Sequence, residues 1–214
     1  EPAADLSDDP DAAGPGPHPP TGPQVLRRPR QGSTSVVFLV DDHGTERVLK
    51  LARSPEENHL LEDEAEVLEK VRHHRIVAIE RSVEMYGRVG ILMEPAGRRT
   101  PDGLETLAQR LREHGRLELE LLERFGDDLL DVVSWLEENG ISHRDIKPDN
   151  LGVRPSGKSD TLHLVLFDFS LSRAPAEKIT LGTTAYLDPF LGKRPARRWD
   201  LAAERFSAAV TLHE

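Results

Sequence analysis

The stretch Ile141-Ser142-His143-Arg144-Asp145-Ile146-Lys147-Pro148-Asp149-Asn150 and the residues after it decide how the chain is read. Directly behind it, Leu151-Gly152-Val153 and His163-Leu164-Val165-Leu166-Phe167 are β-prone runs separated by a polar turn at residues 154–160, the signature of a hairpin. Asn150 stands just before the first strand and Asp168 just after the second. Pairing the strands brings an amide oxygen and a carboxylate to the same end of the ladder. Both are hard oxygen ligands suited to Mg2+, which takes few protein ligands and fills its shell with water and phosphate oxygens. Asp145, five residues before Asn150, is left as a nearby carboxylate able to act on a substrate hydroxyl.

Upstream of this loop, residues 117–139 carry Leu122, Phe125, Leu129, Val132 and Leu136 at spacings of three and four and end on Asn139-Gly140. That is an amphipathic helix whose apolar stripe is core. A shorter helix is expected over residues 104–113. Residues 76–81 and 88–94 read as strands, the second ending at Pro95, which cannot continue a ladder. Residues 54–73 place Leu60, Leu61, Ala65, Leu68 and Val71 at helical spacing between many charges. Val36–Val40 and Arg47–Leu51 flank a turn at residues 41–44 and form a hairpin. Strands with one helix come first and helices dominate afterwards, so the order predicts two lobes of different class joined near residues 94–97. Clefts between such units are common ligand sites.

Composition narrows the function. The chain has 214 residues, 37% of them hydrophobic, enough for one sizeable core or two small ones. Its net charge of −10 argues against a nucleic-acid or anionic-membrane binder with a broad basic surface. Residues 1–24 hold seven of the 16 prolines and five acidic residues without a Lys or Arg, which is the composition of a disordered linker. The absence of cysteine excludes a disulfide framework, a thiolate metal site and a cysteine nucleophile. No apolar run reaches the ~20 residues of a membrane span, and no signal-peptide pattern occurs, so a cytoplasmic domain is expected. Opening on Glu1 and stopping inside an expected helix at Glu214, the sequence reads as a piece of a larger parent chain.

His143-Arg144-Asp145 through Asn150 resembles the catalytic loop of protein kinases, and Asp168-Phe169-Ser170 resembles their metal-binding Asp-Phe-Gly. Lys147, two residues after Asp145, is the residue serine/threonine kinases carry there. The resemblance covers residues 25–214. It implies an α+β, two-lobed protein-kinase-like fold, with an antiparallel N-lobe sheet and one helix at residues 25–94. A mainly helical C-lobe at residues 95–214 would be incomplete at its C-terminal end. It further implies ATP and Mg2+ as cofactors, a protein substrate with Ser or Thr, and neither nucleic acid nor membrane as partner. The missing part of the C-lobe and flanking domains would belong to the parent chain.

The resemblance also assigns roles. Asp145 is the base, Lys147 steadies the transferred group, and Asn150 and Asp168 hold the metal. Lys50 grips the phosphates. Its partner is expected thirteen residues before Val77, which points to Glu64, with Glu62 and Glu66 as contenders. Gly32 and Val37 belong to the phosphate-covering loop, Met93 lies behind the adenine pocket, and the backbones of Glu94 and Ala96 bind adenine. His143 is structural, packing on Phe169. Arg144 implies pairing with a phosphorylated activation segment, for which Thr180, Thr183 and Thr184 are candidates, although Thr183 could equally contact Asp145 and Lys147. Gly32 to Ser35, Phe167 to Arg173 and Gly182 to Pro189 resemble, more loosely, the kinase of bacterial phage-growth-limitation (BREX-type) defence systems.

Five positions depart from the family pattern. The phosphate-covering loop keeps one glycine of three in Arg30-Gln31-Gly32-Ser33-Thr34-Ser35-Val36-Val37, and missing glycines restrict close backbone approach to phosphate. Ser170 replaces a glycine, Phe190 a glutamate, and Glu204 an aspartate. The chemical groups expected at the reacting centre are all retained. An active serine/threonine kinase is therefore expected, with a nucleotide-binding pseudokinase as the alternative; Lys147-Pro148 argues against a small-molecule phosphotransferase.

Overall fold

The computed structural model describes residues 23–27, 34–156 and 160–214. The linker expected over residues 1–24, apart from its last two residues, and Gly32 lie outside the described residues. The chain divides into two compact units, one ending at Val71 and resuming over Ala78–Pro95, the other made of Arg72–Val77 and Ala96–Glu214.

The first unit is an antiparallel sheet of β1 (Gln24–Arg27), β2 (Ser35–Asp42), β3 (Thr45–Ala52), β4 (Ile79–Met85) and β5 (Arg88–Met93), in the spatial order β1-β2-β3-β5-β4. Its two tight hairpins turn at His43-Gly44 and Tyr86-Gly87, where all four residues have positive φ, from 53° to 83°. Two consecutive left-handed residues give the turn whose twist matches that of the flanking strands. One face carries a core of Val36, Phe38, Val40, Leu49, Leu51 and Leu92. The other carries Val37, Lys50 and Ile91 in register across β2, β3 and β5. Helix α1 (Asn58–Leu68) packs on β3, β4 and β5. It follows a short 3-10 turn at Pro55–Glu57 and ends five residues before the expected limit at His73.

The second unit begins with a segment the sequence assigns elsewhere. Ile76 and Val77, expected in the strand at residues 76–81, lie outside β4 and bond to the second unit: Val77 N–H donates to Leu166 O at 2.9 Å, and Leu166 N–H donates to Arg75 O at 2.8 Å. A two-residue ladder, β6 (Arg99–Thr100) with β7 (Gly103–Leu104), precedes α2 (Leu107–His114). The Thr106 hydroxyl caps α2 by accepting Gln109 N–H at 3.2 Å. Helix α3 (Leu119–Glu138) packs on the hairpin β8 (Leu151–Ser156) and β9 (Thr161–Leu166) through β9, and on α4 (Leu201–His213).

Phe125, Leu129, Val132 and Leu136 of α3 are buried as the stripe requires, but Leu122, expected among them, is 37% exposed. Leu119, in the first turn of α3, is 70% exposed. Phe206 and Val210 of α4 are half-buried. No helix among the described residues is long and apolar enough to cross a membrane.

Candidate active site

In the first unit, antiparallel pairing with Val37 on one side and Ile91 on the other fixes Lys50 in the middle of β3. Its Nζ donates to Glu64 Oε2 at 2.6 Å, with Glu64 only 2% exposed. Glu62 and Glu66 are exposed, so helical phase selects Glu64 from the acidic run. Met93 is buried on β5 opposite Val48. Glu94 N–H donates to Ala78 O at 3.1 Å, while its carboxylate accepts Ala78 N–H at 3.1 Å.

In the second unit the loop at residues 141–150 is built around Asp145. Thr183 donates both its N–H and its hydroxyl to Asp145 Oδ1, each at 2.8 Å. Lys147 Nζ lies 2.7 Å from Oδ2, and Asn150 Nδ2 donates to the same oxygen at 3.1 Å. Four donors therefore saturate one carboxylate. Burial pushes the Asp145 pKa up, but the hydrogen bonds from Lys147 and Thr183 outweigh it and hold the group below the usual aspartate value. Asp145 is thus ionised at neutral pH. Lys147 Nζ also donates to Thr183 Oγ1 at 2.6 Å, so the threonine hydroxyl bridges the lysine and the aspartate.

Asn150 Nδ2 further donates to Asp145 O at 2.8 Å. With the nitrogen committed to Asp145, the amide presents Oδ1 as its ligand atom. Asn150 O accepts Phe167 N–H at 3.1 Å, one step beyond the Leu151–Leu166 pair, so Asn150 and Asp168 stand at the same end of the β8–β9 hairpin. Asp168 has φ 68°, a backbone turn that an aspartate tolerates better than most residues. This donor set of amide oxygen and carboxylate fits Mg2+.

His143 is fully buried. Its Nε2 lies 2.9 Å from Phe167 O and its Nδ1 accepts Asp145 N–H at 3.3 Å, which assigns the proton to Nε2. Its ring meets Phe169 edge-on at 4.7 Å, and burial lowers its pKa, so it is a neutral brace. Arg144 differs from expectation. With φ 73° and 2% exposure, it turns into the protein and donates to the carbonyls of Ala174, Pro175 and Lys178. The guanidinium expected to await a phosphate is occupied by backbone oxygens. Thr183 is committed to Asp145 and Lys147, whereas Thr180 and Thr184 are exposed.

Several contacts of this frame are not legible in the sequence. Glu204 Oε1 accepts Arg144 N–H at 2.9 Å and Trp199 Nε1–H at 2.8 Å. Asp188 accepts Phe190 N–H at 2.8 Å and pairs with Arg194, pinning the chain where the expected glutamate is replaced by Phe190. A Cβ on Gly152 would stand 2.3 Å from Ala96 O, and one on Gly97 2.1 Å from Glu105 O, so both glycines permit backbone contact. His73, His74 and Asp131 also converge as potential metal ligands. However, His73 Nδ1 accepts Arg75 N–H at 3.2 Å, which leaves the proton on Nε2, facing Asp131 at 3.2 Å. A hydrogen-bonded pair accounts for that geometry.

Residues 30–214 match the protein kinase domain family, and the chain belongs to it. It is similar to "Probable kinase PglW" of Streptomyces coelicolor, 41% identical over 89% of this chain and 14% of the relative. It also resembles the serine/threonine-protein kinase AtPK2/AtPK19 of Arabidopsis thaliana, 27% identical over 89% of this chain and 40% of the relative. The chain thus spans less than half the length of either. A crystal structure of a kinase domain shares the fold with a TM-score of 0.72 at 17% identity, over 90% of this chain and 63% of the other.

Proposed function

We propose that this domain is an active serine/threonine protein kinase that transfers the γ-phosphate of ATP to Ser or Thr hydroxyls of a protein. The observation that carries this reading is the ionised Asp145 carboxylate, fixed from four sides by Thr183, Lys147 and Asn150. Phosphoryl transfer asks the protein mainly for positioning and charge neutralisation. Asp145 would orient the substrate hydroxyl and accept its proton, exchanging its bond to Thr183 or Lys147 for one to the substrate. Lys147 would steady the charge on the transferred group, and Lys50, itself aligned by Glu64, would hold the α- and β-phosphates. Asn150 Oδ1 and the Asp168 carboxylate would hold Mg2+, which when bound neutralises phosphate charge. The carbonyl of Glu94 and the backbone of Ala96 would recognise adenine, with Met93 and Val37 lining the base. The likeness to "Probable kinase PglW" supports a place among phage-growth-limitation kinases, in a cytoplasmic parent protein with further domains.

The test is transfer of γ-labelled phosphate by the full-length parent, followed by identification of the labelled amino acid. Phosphoserine or phosphothreonine is expected; label on tyrosine alone would overturn the assignment. The sequence of the phosphate-covering loop, with one glycine of three, favours the second reading, a nucleotide-binding pseudokinase. That reading holds if ATP and Mg2+ raise the melting temperature while no partner protein is ever labelled.

A further inference from the structure

Trp199 sits before α4, yet it touches three parts of the catalytic frame. It is 6% exposed and packs with Leu191 and Ala203 against Ala176, Ile179 and Leu187. Its backbone N–H donates to Ala176 O at 2.7 Å. Its indole N–H donates to Glu204 Oε1, the same oxygen that receives Arg144 N–H immediately before Asp145. Its ring lies 5.1 Å from the Arg144 guanidinium carbon, within cation–π range.

Together, Arg144 and Trp199 bind four carbonyls of the activation segment: those of Ala174, Pro175 and Lys178 through the guanidinium, and that of Ala176 through the Trp199 backbone. A phosphate approaching Arg144, itself 2% exposed, would have to displace these carbonyls, so the guanidinium would exchange existing partners rather than gain its first. The arrangement therefore does what a phosphorylated residue does in segments that await one: it supplies partners to the guanidinium and ties the segment to the loop.

We propose that Trp199 is a positioning residue for phosphoryl transfer, holding Glu204 and Arg144 so that Asp145 and residues 174–178 are fixed without a phosphoryl group on the segment. This rests on the kinase reading above. Two losses can be separated by substitution. Trp199→Phe keeps a ring for Arg144 and removes the N–H to Glu204, whereas Trp199→Leu removes both.

The experiment uses phosphatase-treated full-length parent protein. Wild type and the Thr180→Ala/Thr184→Ala double variant are expected to keep the same kcat within about twofold. Trp199→Phe should lower kcat about tenfold with the KM for ATP nearly unchanged, the cost of one buried hydrogen bond. Trp199→Leu should lower it further. A second readout needs no catalysis: trypsin should cut after Lys178 faster in Trp199→Phe and Trp199→Leu than in wild type. Loss of transfer on phosphatase treatment would overturn the phosphate-independent hold, and unchanged kcat and proteolysis in both Trp199 variants would overturn the positioning role. If wild type transfers no phosphate before or after treatment but the Trp199 variants open the segment to trypsin, the kinase reading fails and the Trp199 hold stands.

Discussion

Lys50 meets Glu64 at 2.6 Å and Lys147 meets Asp145 at 2.7 Å, but the two pairs are built differently. The first joins a central strand to a helix, and its carboxylate side chain is 2% exposed. The second lies in a loop, its carboxylate is 14% exposed, and three further donors hold Asp145 besides the lysine. A sealed pair depends on both members, because removing one leaves the other as an uncompensated buried charge. A saturated carboxylate near solvent can lose one donor and keep its place. The first pair should therefore show itself mainly in stability, the second mainly in rate.

Substituting Lys50→Met tests the first half of that contrast and should have the largest effect on folding. Removing the ammonium beside the buried Glu64 carboxylate should cost about 3–5 kcal/mol in denaturant unfolding, the scale for breaking a buried pair. A cost below ~1 kcal/mol would mean that Glu64 is not sealed as described.

The pH dependence of Glu204 comes next. Burial raises its carboxyl from an ordinary 4.5 to about 7, against the opposing pull of Trp199 and the Arg144 N–H. Below pH 4.5 both folded and unfolded chains carry the proton, and the native state has its full advantage. Between 4.5 and 7 the unfolded chain ionises first, so stability falls with rising pH, and the loss is complete above about 7. The shift corresponds to about 3 kcal/mol. Unfolding of wild type and Glu204→Gln at pH 4 and pH 8 should differ by a slope of that size, and parallel profiles would exclude it.

The smallest effect sharpens the second pair. Thr183→Val removes the hydroxyl that bridges Asp145 and Lys147 but leaves the backbone N–H bond to Oδ1. It should lower kcat about tenfold, the worth of a charge-assisted hydrogen bond, while thermal stability changes little. A melting shift comparable to that of Lys50→Met would erase the distinction between the pairs.

The features that were legible in the sequence are those whose causes are local. The turn at His43-Gly44, the stop of α3 at Asn139-Gly140, the β8–β9 hairpin and the run from His143 to Asn150 each depend on neighbours a few residues away. The thirteen-residue spacing to Val77 that the resemblance implies points to Glu64, and its buried position on α1 separates it from the exposed Glu62 and Glu66. Ile76 and Val77 were misplaced because their β-prone side chains suit either unit, and only their bonds to Leu166 decide. Leu122 has the correct phase but keeps more than a third of its surface exposed, which periodicity cannot report. The fate of Arg144 was hidden for a similar reason: its partners at Ala174, Pro175, Lys178, Trp199 and Glu204 are brought to it by the tertiary fold. Gly97 and Gly152 show no turn signal, since their role is to admit another backbone.

The most direct test of the account is the single-turnover rate of phosphate transfer by the full-length parent with Asp145→Asn, at saturating ATP and Mg2+. Asparagine keeps the size of the side chain and removes its ability to accept a proton. A fall of about 10²–10⁴-fold with ATP binding retained is expected; a rate equal to wild type would exclude Asp145 as the base.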